Sequence, residues 1–394
     1  MLVAIDAVGI RMGGGATLLA EFLRSLPEVR PEWEWLVFLL PRNCREFDEP
    51  PARDGVRIET ISAGNSAVGR LWWLYRELPR RLDAARASAL LAFANVASPR
   101  SSVPQVGYVH QLLAFKTDLT RPASFRTMLR RRGLRHLIVR GARASSFVVV
   151  QTGDMRRRLE TAAPELRDRI RTIPGCVPEV ELHARIREEK QALIDGASWP
   201  RLLYVAHPAE HKNHPRLIQA MPEIVRRHPS ATLLVTLEPD GPDAIADQGY
   251  LQGVRRAASE NGVDDHIVWL GTLSQAEVRY ALRQCTLALF PSLDESFGLP
   301  LAEAISEMCP LAASSLPFAR DVAGKAAVYF DPLDADSISR CVANLLETPE
   351  QLNLLKQEAR VRRVRFQSHN VADQIATVLQ AAVDQEKNSH AQVG

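Results

Sequence analysis

The stretch Leu287–Glu307 reads Leu-Ala-Leu-Phe-Pro-Ser-Leu-Asp-Glu-Ser-Phe-Gly-Leu-Pro-Leu-Ala-Glu-Ala-Ile-Ser-Glu and predicts a strand, a turn and a helix in direct succession. The apolar run Thr286–Phe290 is typical of a buried strand, and Pro291 ends it. Gly298 lies in the turn, and Pro300 suits the first turn of a helix, where its missing N–H costs nothing. Such a turn directs free backbone N–H groups beyond the strand, and the helix dipole favours an anion there. The stretch therefore predicts an anion-binding site.

Two glutamates frame this turn. Glu295 lies in the loop, and Glu303 follows eight residues later, about one turn inside the helix. Glu303 has apolar neighbours that predict its burial, namely Leu301, Ala302, Ala304 and Ile305. Because a buried carboxylate needs a partner, ligand hydroxyl groups are candidates. We interpret the two glutamates as ligand-binding residues rather than as two solvated acids.

Length and composition indicate a two-domain globular protein. The chain has 394 residues, of which 46% are hydrophobic and 24% charged. Its five cysteines are scattered and include no Cys-x-x-Cys pair, which indicates a reducing compartment and argues against a disulfide framework or a zinc site. We find no signal-peptide pattern at the start and no run of about eighteen apolar residues. We expect a cytoplasmic protein, or one that is peripheral at the inner face of the membrane.

Predicted strands and helices alternate along the whole chain, which indicates parallel sheets with helices on both faces. We predict an α/β fold with two Rossmann-like domains that face a central cleft. The segment Pro174–Pro178 interrupts the alternation and is the linker candidate. Ligands of such sheets bind beyond the carboxyl ends of the strands.

Two segments that follow predicted strands offer further contacts to an anion. Gly14 and Gly15 follow the first strand and precede a helix, so that backbone would approach a ligand closely there. Their spacing matches neither the dinucleotide fingerprint nor the P-loop. The strand Leu202–Ala206 leads into His207-Pro-Ala-Glu-His-Lys-Asn213, where Lys212 would act as a point charge on a diphosphate. A flexible loop and a surface lysine are the plain alternatives.

Two other candidates are judged by their positions. His110 follows the strand Val106–Val109, where a histidine can be structural or can face a ligand. Asp334 and Asp336 open a helix, so we predict a helix cap there and not a metal site. Because we find no His, Asp and Glu cluster with metal-ligand spacing, we expect no metal and no cofactor.

The charge is concentrated in the first half of the chain. Residues 1–175 contain 28 Lys and Arg against 17 Asp and Glu, whereas the remainder contains 21 against 29. The segments Arg70–Arg76 and Arg126–Arg143 alternate bulky apolar and basic residues. Core packing with a solvated basic face is one interpretation, and peripheral contact with an anionic membrane is the other. A basic half also suits phosphorylated substrates, and we expect no nucleic-acid partner.

The segment from Glu295 to Ala304 resembles the Glu-x7-Glu signature of the retaining family-4 glycosyltransferases, which have the GT-B fold. The His-Lys-Asn segment is similar to a branch that acts on bacterial surface polysaccharides such as lipopolysaccharide O-antigen. The resemblance implies metal-independent, retaining transfer of a hexose or deoxyhexose, with mannose or rhamnose type favoured. The donor would be a nucleotide diphosphate sugar, and the acceptor a hydroxyl of a growing or lipid-linked polysaccharide.

The resemblance also assigns domains and residues. It implies an acceptor-side domain at 1–175, a nucleotide-sugar-binding domain at 176–367 and a helix at 368–394 that returns to the first domain. Its catalytic group comprises Glu295 on the donor sugar, Lys212 on the diphosphate and His110 near sugar and acceptor. The donor-binding group comprises Glu303 on the ribose, the N–H groups of Phe297, Gly298 and Leu299, and also His207, Gly14 and Gly15.

One departure from the family leaves alternatives open. His207 occupies a position where the family usually has Arg, and a neutral His donates one hydrogen bond where Arg offers a fork. An inactive partner subunit with this fold is therefore an alternative. A sugar-nucleotide 2-epimerase, which shares the two-domain fold, is another. A glycosidase is disfavoured because its two carboxylates are about 5–9.5 Å apart, at or below the expected separation of Glu295 and Glu303.

Overall fold

The structure is a computed structural model that describes residues 1–10, 14–40, 55–62, 66–116, 124–179, 184–238 and 248–391. It contains two compact units. The N-terminal unit comprises Met1–Pro178 and Gln367–Gly394, and the C-terminal unit comprises Glu179–Phe366. Cys176 and Val177 are buried in the N-terminal unit, so the first chain segment of that unit extends through the proline-rich stretch.

Thirteen strands are formed in the described part of the chain. Those of the N-terminal unit are β1 (Leu2–Asp6), β2 (Glu34–Leu39), β3 (Val56–Thr60), β4 (Ala89–Ala92), β5 (Gln105–Val109), β6 (Phe147–Val150) and β7 (Ile170–Thr172). Those of the C-terminal unit are β8 (Arg201–Tyr204), β9 (Thr232–Val235), β10 (Ile267–Trp269), β11 (Leu287–Phe290), β12 (Leu311–Ser314) and β13 (Val328–Phe330).

The α-helices in this part of the chain fall in two groups. The first half contains α1 (Gly14–Val29), α2 (Ala67–Trp72), α3 (Leu78–Ala85), α4 (Phe125–Arg143) and α5 (Gly153–Ala162). The second half contains α6 (Glu188–Gly196), α7 (His214–Arg227), α8 (Gln248–Glu260), α9 (Gln275–Gln284), α10 (Leu299–Ser306), α11 (Pro317–Ala323), α12 (Ala335–Leu346), α13 (Pro349–Arg362) and α14 (Ser368–Ala391).

Both sheets have the doubly wound strand order. The N-terminal sheet runs β3-β2-β1-β4-β5-β6-β7 and the C-terminal sheet runs β10-β9-β8-β11-β12-β13. All neighbouring strands are parallel. The predicted α/β fold with two Rossmann-like domains is therefore confirmed. In each sheet the strand order reverses once, between β1 and β4 and between β8 and β11, and such switch points are where ligands bind.

Some predicted elements differ from those observed, mostly at their ends. A π-helical turn at Trp73–Glu77 joins α2 to α3, whereas the sequence predicts one continuous helix over Val68–Ala87. Helix α6 is not predicted from the sequence. Ile194 is its one buried residue, so its sequence lacks the apolar face that indicates a helix. The sequence also predicts a polar loop at Glu238–Asp243, of which the residues after Glu238 lie outside the described residues.

Helix α14 belongs to the core of the N-terminal unit. Its apolar residues Ile375 and Leu379 are buried in the same cluster as Phe22 of α1. Polar contacts fix its start, because the Ser368 hydroxyl donates to a carboxylate oxygen of Glu21 at 2.9 Å. The C-terminal helix therefore completes the unit that the first part of the chain begins.

Replacing Leu379 by Ala should destabilise the N-terminal unit by about 2–5 kcal/mol, because a fully buried side chain is lost from a packed helix interface. Urea denaturation would measure the change. The control is Leu354→Ala on α13, where the side chain is 55% exposed and the effect should stay within about 0.5 kcal/mol. Equal effects at the two positions would contradict the assignment of α14 to this core.

Candidate functional site

The main candidate site lies at the switch point of the C-terminal sheet, where β8 and β11 are hydrogen-bonded neighbours. The loops that follow these strands are joined to each other. The N–H of Leu293 donates to the carbonyl of His211 at 2.7 Å, and the Asn213 amide donates to the carbonyl of Pro291 at 3.1 Å. Two segments that are far apart in sequence thus form one structure at the carboxyl edge of the sheet.

Lys212 and Glu295 form an ion pair where these loops meet. The Lys212 ammonium donates to Oε1 of Glu295 at 2.5 Å, and both side chains are largely buried. Burial raises the pKa of Glu295, but the charges of Lys212 and His211 and hydrogen bonds from Lys212 and Ser292 outweigh it, so that the pKa is lowered. Glu295 is therefore a carboxylate at neutral pH. An ammonium has three donors, and in the described residues Glu295 alone accepts from Lys212, which leaves two donors for a ligand.

The backbone around Lys212 is held by buried side chains. The Tyr204 hydroxyl donates to the Lys212 carbonyl at 2.6 Å and lies 3.2 Å from the Ser292 hydroxyl. Asn213 has the left-handed φ of 62° and also donates to the carbonyl of Pro332 at 2.7 Å. Sequence reasoning missed Tyr204, although a buried tyrosine on a strand needs a partner for its hydroxyl. These contacts fix where the lysine side chain begins.

The turn before α10 has the geometry that the stretch Leu287–Glu307 predicts. Gly298 has φ of 84°, and a Cβ there would meet Leu301 Cδ1 at 3.1 Å and Phe290 Cζ at 3.2 Å, so glycine is required. The Phe297 ring packs on Phe366 with centroids 5.9 Å apart, which anchors the turn. Within the described residues, no group accepts from the N–H of Phe297, Gly298 or Leu299. Three free donors at a helix N-terminus suit a phosphate.

Glu303 is buried inside α10, as its neighbours predict, with 4% of its surface exposed. Burial raises its pKa to about 7, against an opposing effect of Arg279 and with a further rise from Glu307. No hydrogen bond to the Glu303 carboxyl group is formed by any residue that the structure describes. A buried carboxyl group in this state is suited to accept from ligand hydroxyl groups.

His207 follows β8 on the same loop as Lys212. Its ring centroid is 6.0 Å from that of His211. Partial burial, together with the charge of Lys212, lowers the pKa of His207, although Glu295 opposes the effect. The ring is therefore neutral at pH 7 and adds no charge beside the lysine.

A second group of candidates lies in the N-terminal unit. A Cβ on Gly15 would be 3.3 Å from Nε2 of His110, whereas nothing lies within 4 Å of a Cβ on Gly14. The tight packing thus favours glycine at position 15, and the structure gives no such reason at position 14. Residues 11–13, including the first glycine of the predicted loop, lie outside the described residues.

Asn95, which sequence reasoning did not single out, sets the state of His110. Its Oδ1 accepts the N–H of His110 at 2.7 Å, so its amide nitrogen faces Nε2 at 3.1 Å and donates to it. The proton of the neutral ring is therefore assigned to Nδ1. Burial lowers the pKa of His110 to about 4, which keeps the ring neutral at pH 7. The left-handed φ of 68° at Asn95 is typical of asparagine in turns.

The predicted site residues thus form two groups, one in each unit. Lys212, Glu295, Glu303, His207 and the turn at 297–299 belong to the C-terminal unit, while Gly14, Gly15 and His110 belong to the N-terminal unit. A donor site shared by both groups stays a prediction.

Two further findings concern metals and membranes. The Asp334 side chain accepts the N–H of Asp336 at 2.9 Å and caps α12, as predicted. The described ranges contain no cluster of three or more His, Cys, Asp and Glu placed to hold a metal. None of the helices in the described part of the chain has both the length and the apolar character that crossing a membrane requires.

Replacing Glu303 by Gln should stabilise the protein more at about pH 8 than at about pH 5. The pKa of Glu303 is raised from 4.5 to about 7. The protonated carboxyl group therefore contributes fully to the stability of the wild type below pH 4.5, and this contribution is lost as the pH rises through 7. Glutamine does not titrate, so the variant does not undergo this loss. The full pKa shift corresponds to about 3 kcal/mol in the free energy of unfolding. Melting temperatures of wild type and variant across this range would measure it.

The matched control for this prediction is Glu260→Gln, at an exposed position at the end of α8. Its melting temperature should differ from that of the wild type by the same small amount at every pH. If the difference for Glu303→Gln were also constant with pH, the raised pKa would be wrong.

Residues 186–362 match the family model described as glycosyl transferases group 1. An MMP alpha-(1->4)-mannosyltransferase from Mycolicibacterium hassiacum is 30% identical over 163 residues, which are 40% of this chain and 37% of that protein. The serotype-specific mannosyltransferase WbdA from Escherichia coli is 27% identical over 213 residues, which are 52% of this chain and 25% of that protein. Each match therefore spans well under half the length of the relative.

A solved structure with a similar fold is that of Anabaena Alr3699/HepE in complex with UDP-glucose. It superposes with a TM-score of 0.72 at 15% identity and covers 97% of this chain and 100% of that one. At this identity the similarity concerns the fold. The C-terminal unit of this chain is therefore similar to the glycosyl transferases group 1 over residues 186–362, and the fold of the chain is similar to that of the solved structure.

Proposed function

We propose that the protein is a retaining, metal-independent hexosyltransferase of glycosyltransferase family 4. It moves a hexose or deoxyhexose, with mannose or rhamnose type favoured, from a nucleotide diphosphate sugar to a hydroxyl of a growing or lipid-linked polysaccharide. The observation that carries the proposal is the buried Lys212–Glu295 pair at the β8–β11 switch point, on loops that also present three free N–H groups.

The departing diphosphate is the charge that this site must stabilise. Lys212 has two donors available in addition to the one that Glu295 accepts, and the N–H groups of Phe297, Gly298 and Leu299 add backbone dipoles. Donors that are fixed before the reaction stabilise developing negative charge without reorganisation. Because His207 is neutral, Lys212 supplies the positive charge on this loop. The helix dipole of α10 acts in the same direction.

The two glutamates would hold the two ends of the donor. Glu295 is ionised and oriented by Lys212, so it can accept hydrogen bonds from hydroxyl groups of the sugar. Glu303, buried in α10, would accept from the ribose hydroxyl groups. Neither is assigned as a nucleophile. Bonds from ribose would favour the carboxylate form of Glu303 and would lower its pKa in the complex.

In the N-terminal unit, we assign Gly14, Gly15 and His110 to the donor phosphates, the sugar and the acceptor. A ring that is neutral at pH 7 can exchange hydrogen bonds with hydroxyl groups, but it is a weak base when its pKa is about 4. His110 is therefore proposed as a group that orients a hydroxyl. The close approach of Gly15 to His110 places the first turn of α1 beside the ring.

We base the proposed type of sugar and acceptor on the names of the curated relatives. The two reported curated proteins are named mannosyltransferases, and one is serotype-specific. We extend the sugar type to this chain as a proposal, and leave the nucleotide base open. We also propose a cytoplasmic protein with peripheral contact at an anionic membrane, which would bring it to lipid-linked acceptors.

A panel of UDP-, GDP- and dTDP-sugars, tested with EDTA present, should identify one donor that raises the melting temperature by about 5–10 °C. A ligand at about 100 times its dissociation constant stabilises the folded form by about 2.7 kcal/mol, which gives a shift of this size. Differential scanning fluorimetry measures it, with the free sugar as the control. If no nucleotide sugar shifts the transition, the proposed donor site is wrong.

Turnover of the donor that binds decides between transfer and the alternatives. Release of nucleoside diphosphate that requires a saccharide acceptor supports a transferase. Interconversion of the donor without an acceptor would instead show an epimerase, and tight binding without any turnover would show an inactive partner subunit.

Lys212→Ala and Glu295→Ala should each abolish transfer, with a loss of at least about 10²–10³-fold, because each removes a preorganised group at the diphosphate or the sugar. Nucleoside diphosphate release with saturating donor measures the loss. The control is Lys356→Ala, at an exposed position on α13, which should be fully active. Wild-type turnover in either site variant would refute the assignment.

Because each single change leaves a buried charge without its partner, it should also cost stability, by about 3–5 kcal/mol. The double variant Lys212→Met with Glu295→Gln removes both charges together. We expect it to melt near the wild type and still to lack transfer, which separates the loss of chemistry from the loss of folding.

A further inference from the structure

Helix α4 is strongly basic and is anchored at its C-terminal end. It contains seven arginines and one histidine in 19 residues and no acidic residue. Its buried residues all lie in its last two turns, namely Ile138, Val139, Gly141 and Ala142. The N-terminal half of the helix therefore has little contact with the core of its unit.

The first turn of α4 presents apolar side chains to solvent. Phe125 is 75% exposed, Leu129 is 61% exposed and Met128 is 39% exposed. Their spacing of three and four residues places them side by side on one face of the helix. Three large apolar side chains together on a surface are unusual for a structural helix, whose apolar face is normally buried.

The same face continues as a basic groove. Positions 132 and 136 follow Phe125 at seven and eleven residues, which keeps them on one side of the helix. They contribute to an open groove of about 290 Å³ that is lined by Arg132, Arg135, His136, Val139, Arg143 and Ala162. One face of α4 thus changes from apolar at the N-terminal end to cationic along the rest.

Four arginines of α4 lack acidic partners in the described part of the chain. Within the described residues, Arg126, Arg130, Arg132 and Arg135 form no ion pair, whereas Arg143 is paired with Glu165 at 2.6 Å. Guanidinium groups that share one helix repel one another, and an anionic surface would relieve that repulsion. A cationic stretch beside exposed apolar side chains is the pattern of a helix that lies at a membrane interface.

We propose that α4 docks the N-terminal unit on an anionic phospholipid bilayer. The apolar first turn enters the boundary between headgroups and acyl chains, and the basic groove receives lipid phosphates. This assigns a surface to the membrane contact that the proposed function includes. The test below uses no donor sugar, so its failure would leave the transferase proposal intact.

The test is co-sedimentation of the whole chain with vesicles of equal parts phosphatidylglycerol and phosphatidylcholine, at low salt. We expect binding to these vesicles and none to phosphatidylcholine alone. Binding should be lost at about 1 M NaCl, where the screening length falls to about 3 Å. Failure of the wild type to bind the anionic vesicles at low salt would overturn the proposal.

Two variants identify the surface. Phe125→Ser with Leu129→Ser should raise the apparent dissociation constant about tenfold or more, since two side chains lose their apolar burial. Arg132→Ser with Arg135→Ser should raise it about tenfold and weaken the salt dependence. Neither should change the melting temperature, because these side chains are exposed.

Matched controls lie on exposed positions of the C-terminal unit. Leu354→Ser with Val361→Ser, and Arg360→Ser with Arg365→Ser, make the same chemical changes elsewhere and should bind as the wild type does. Three results would overturn the proposal. These are unchanged binding in the α4 variants, competition by inorganic phosphate with no effect of the apolar change, and a lipid-free dimer that the apolar change dissociates.

Discussion

A buried ammonium–carboxylate pair is the interaction on which the C-terminal site depends. Taking Lys212 and Glu295 out of water is costly, and their attraction repays this only when the geometry is held closely. Tyr204 and Asn213 hold it, because they bind the backbone at Lys212 and at the end of the neighbouring strand. As a result, Lys212 is fixed in place, removed from water and still able to donate two hydrogen bonds. In the proposed function, such a group is ordered before a phosphate binds.

The parts of this site that lie close together in the sequence can be predicted from the sequence alone. The strand, the glycine turn and the buried Glu303 lie within one short stretch, so apolar spacing and the demands of Gly298 indicate them directly. The Lys212–Glu295 contact joins residues 83 positions apart, and no periodicity encodes it. It follows only from the strand order, which places β8 beside β11. The Asn95–His110 contact likewise requires knowledge that two strand ends are adjacent.

Burial also decides which of the titratable candidates carry charge. Desolvation lowers the pKa of His110 and of His207 and raises that of Glu303, so each is shifted toward its neutral form. Glu295 is the exception, since Lys212 and its other partners outweigh desolvation. A diphosphate would therefore meet one fixed cation and several oriented dipoles on these loops. A bidentate arginine at the position of His207 would have added a second permanent charge.

The basic character of the first half has two different physical origins, which a count of charges does not separate. Arg70 is structural, since it makes a bidentate contact with the buried Asp6 at 3.1 and 2.8 Å, at the end of β1. Arg158 is similarly paired with Asp154 at 2.7 Å. Arg126, Arg130, Arg132 and Arg135 of α4 form no ion pair in the described chain, so folding alone does not account for them. Their charge is available to something outside the unit, and the exposed Phe125 and Leu129 beside them favour a surface that is both anionic and apolar.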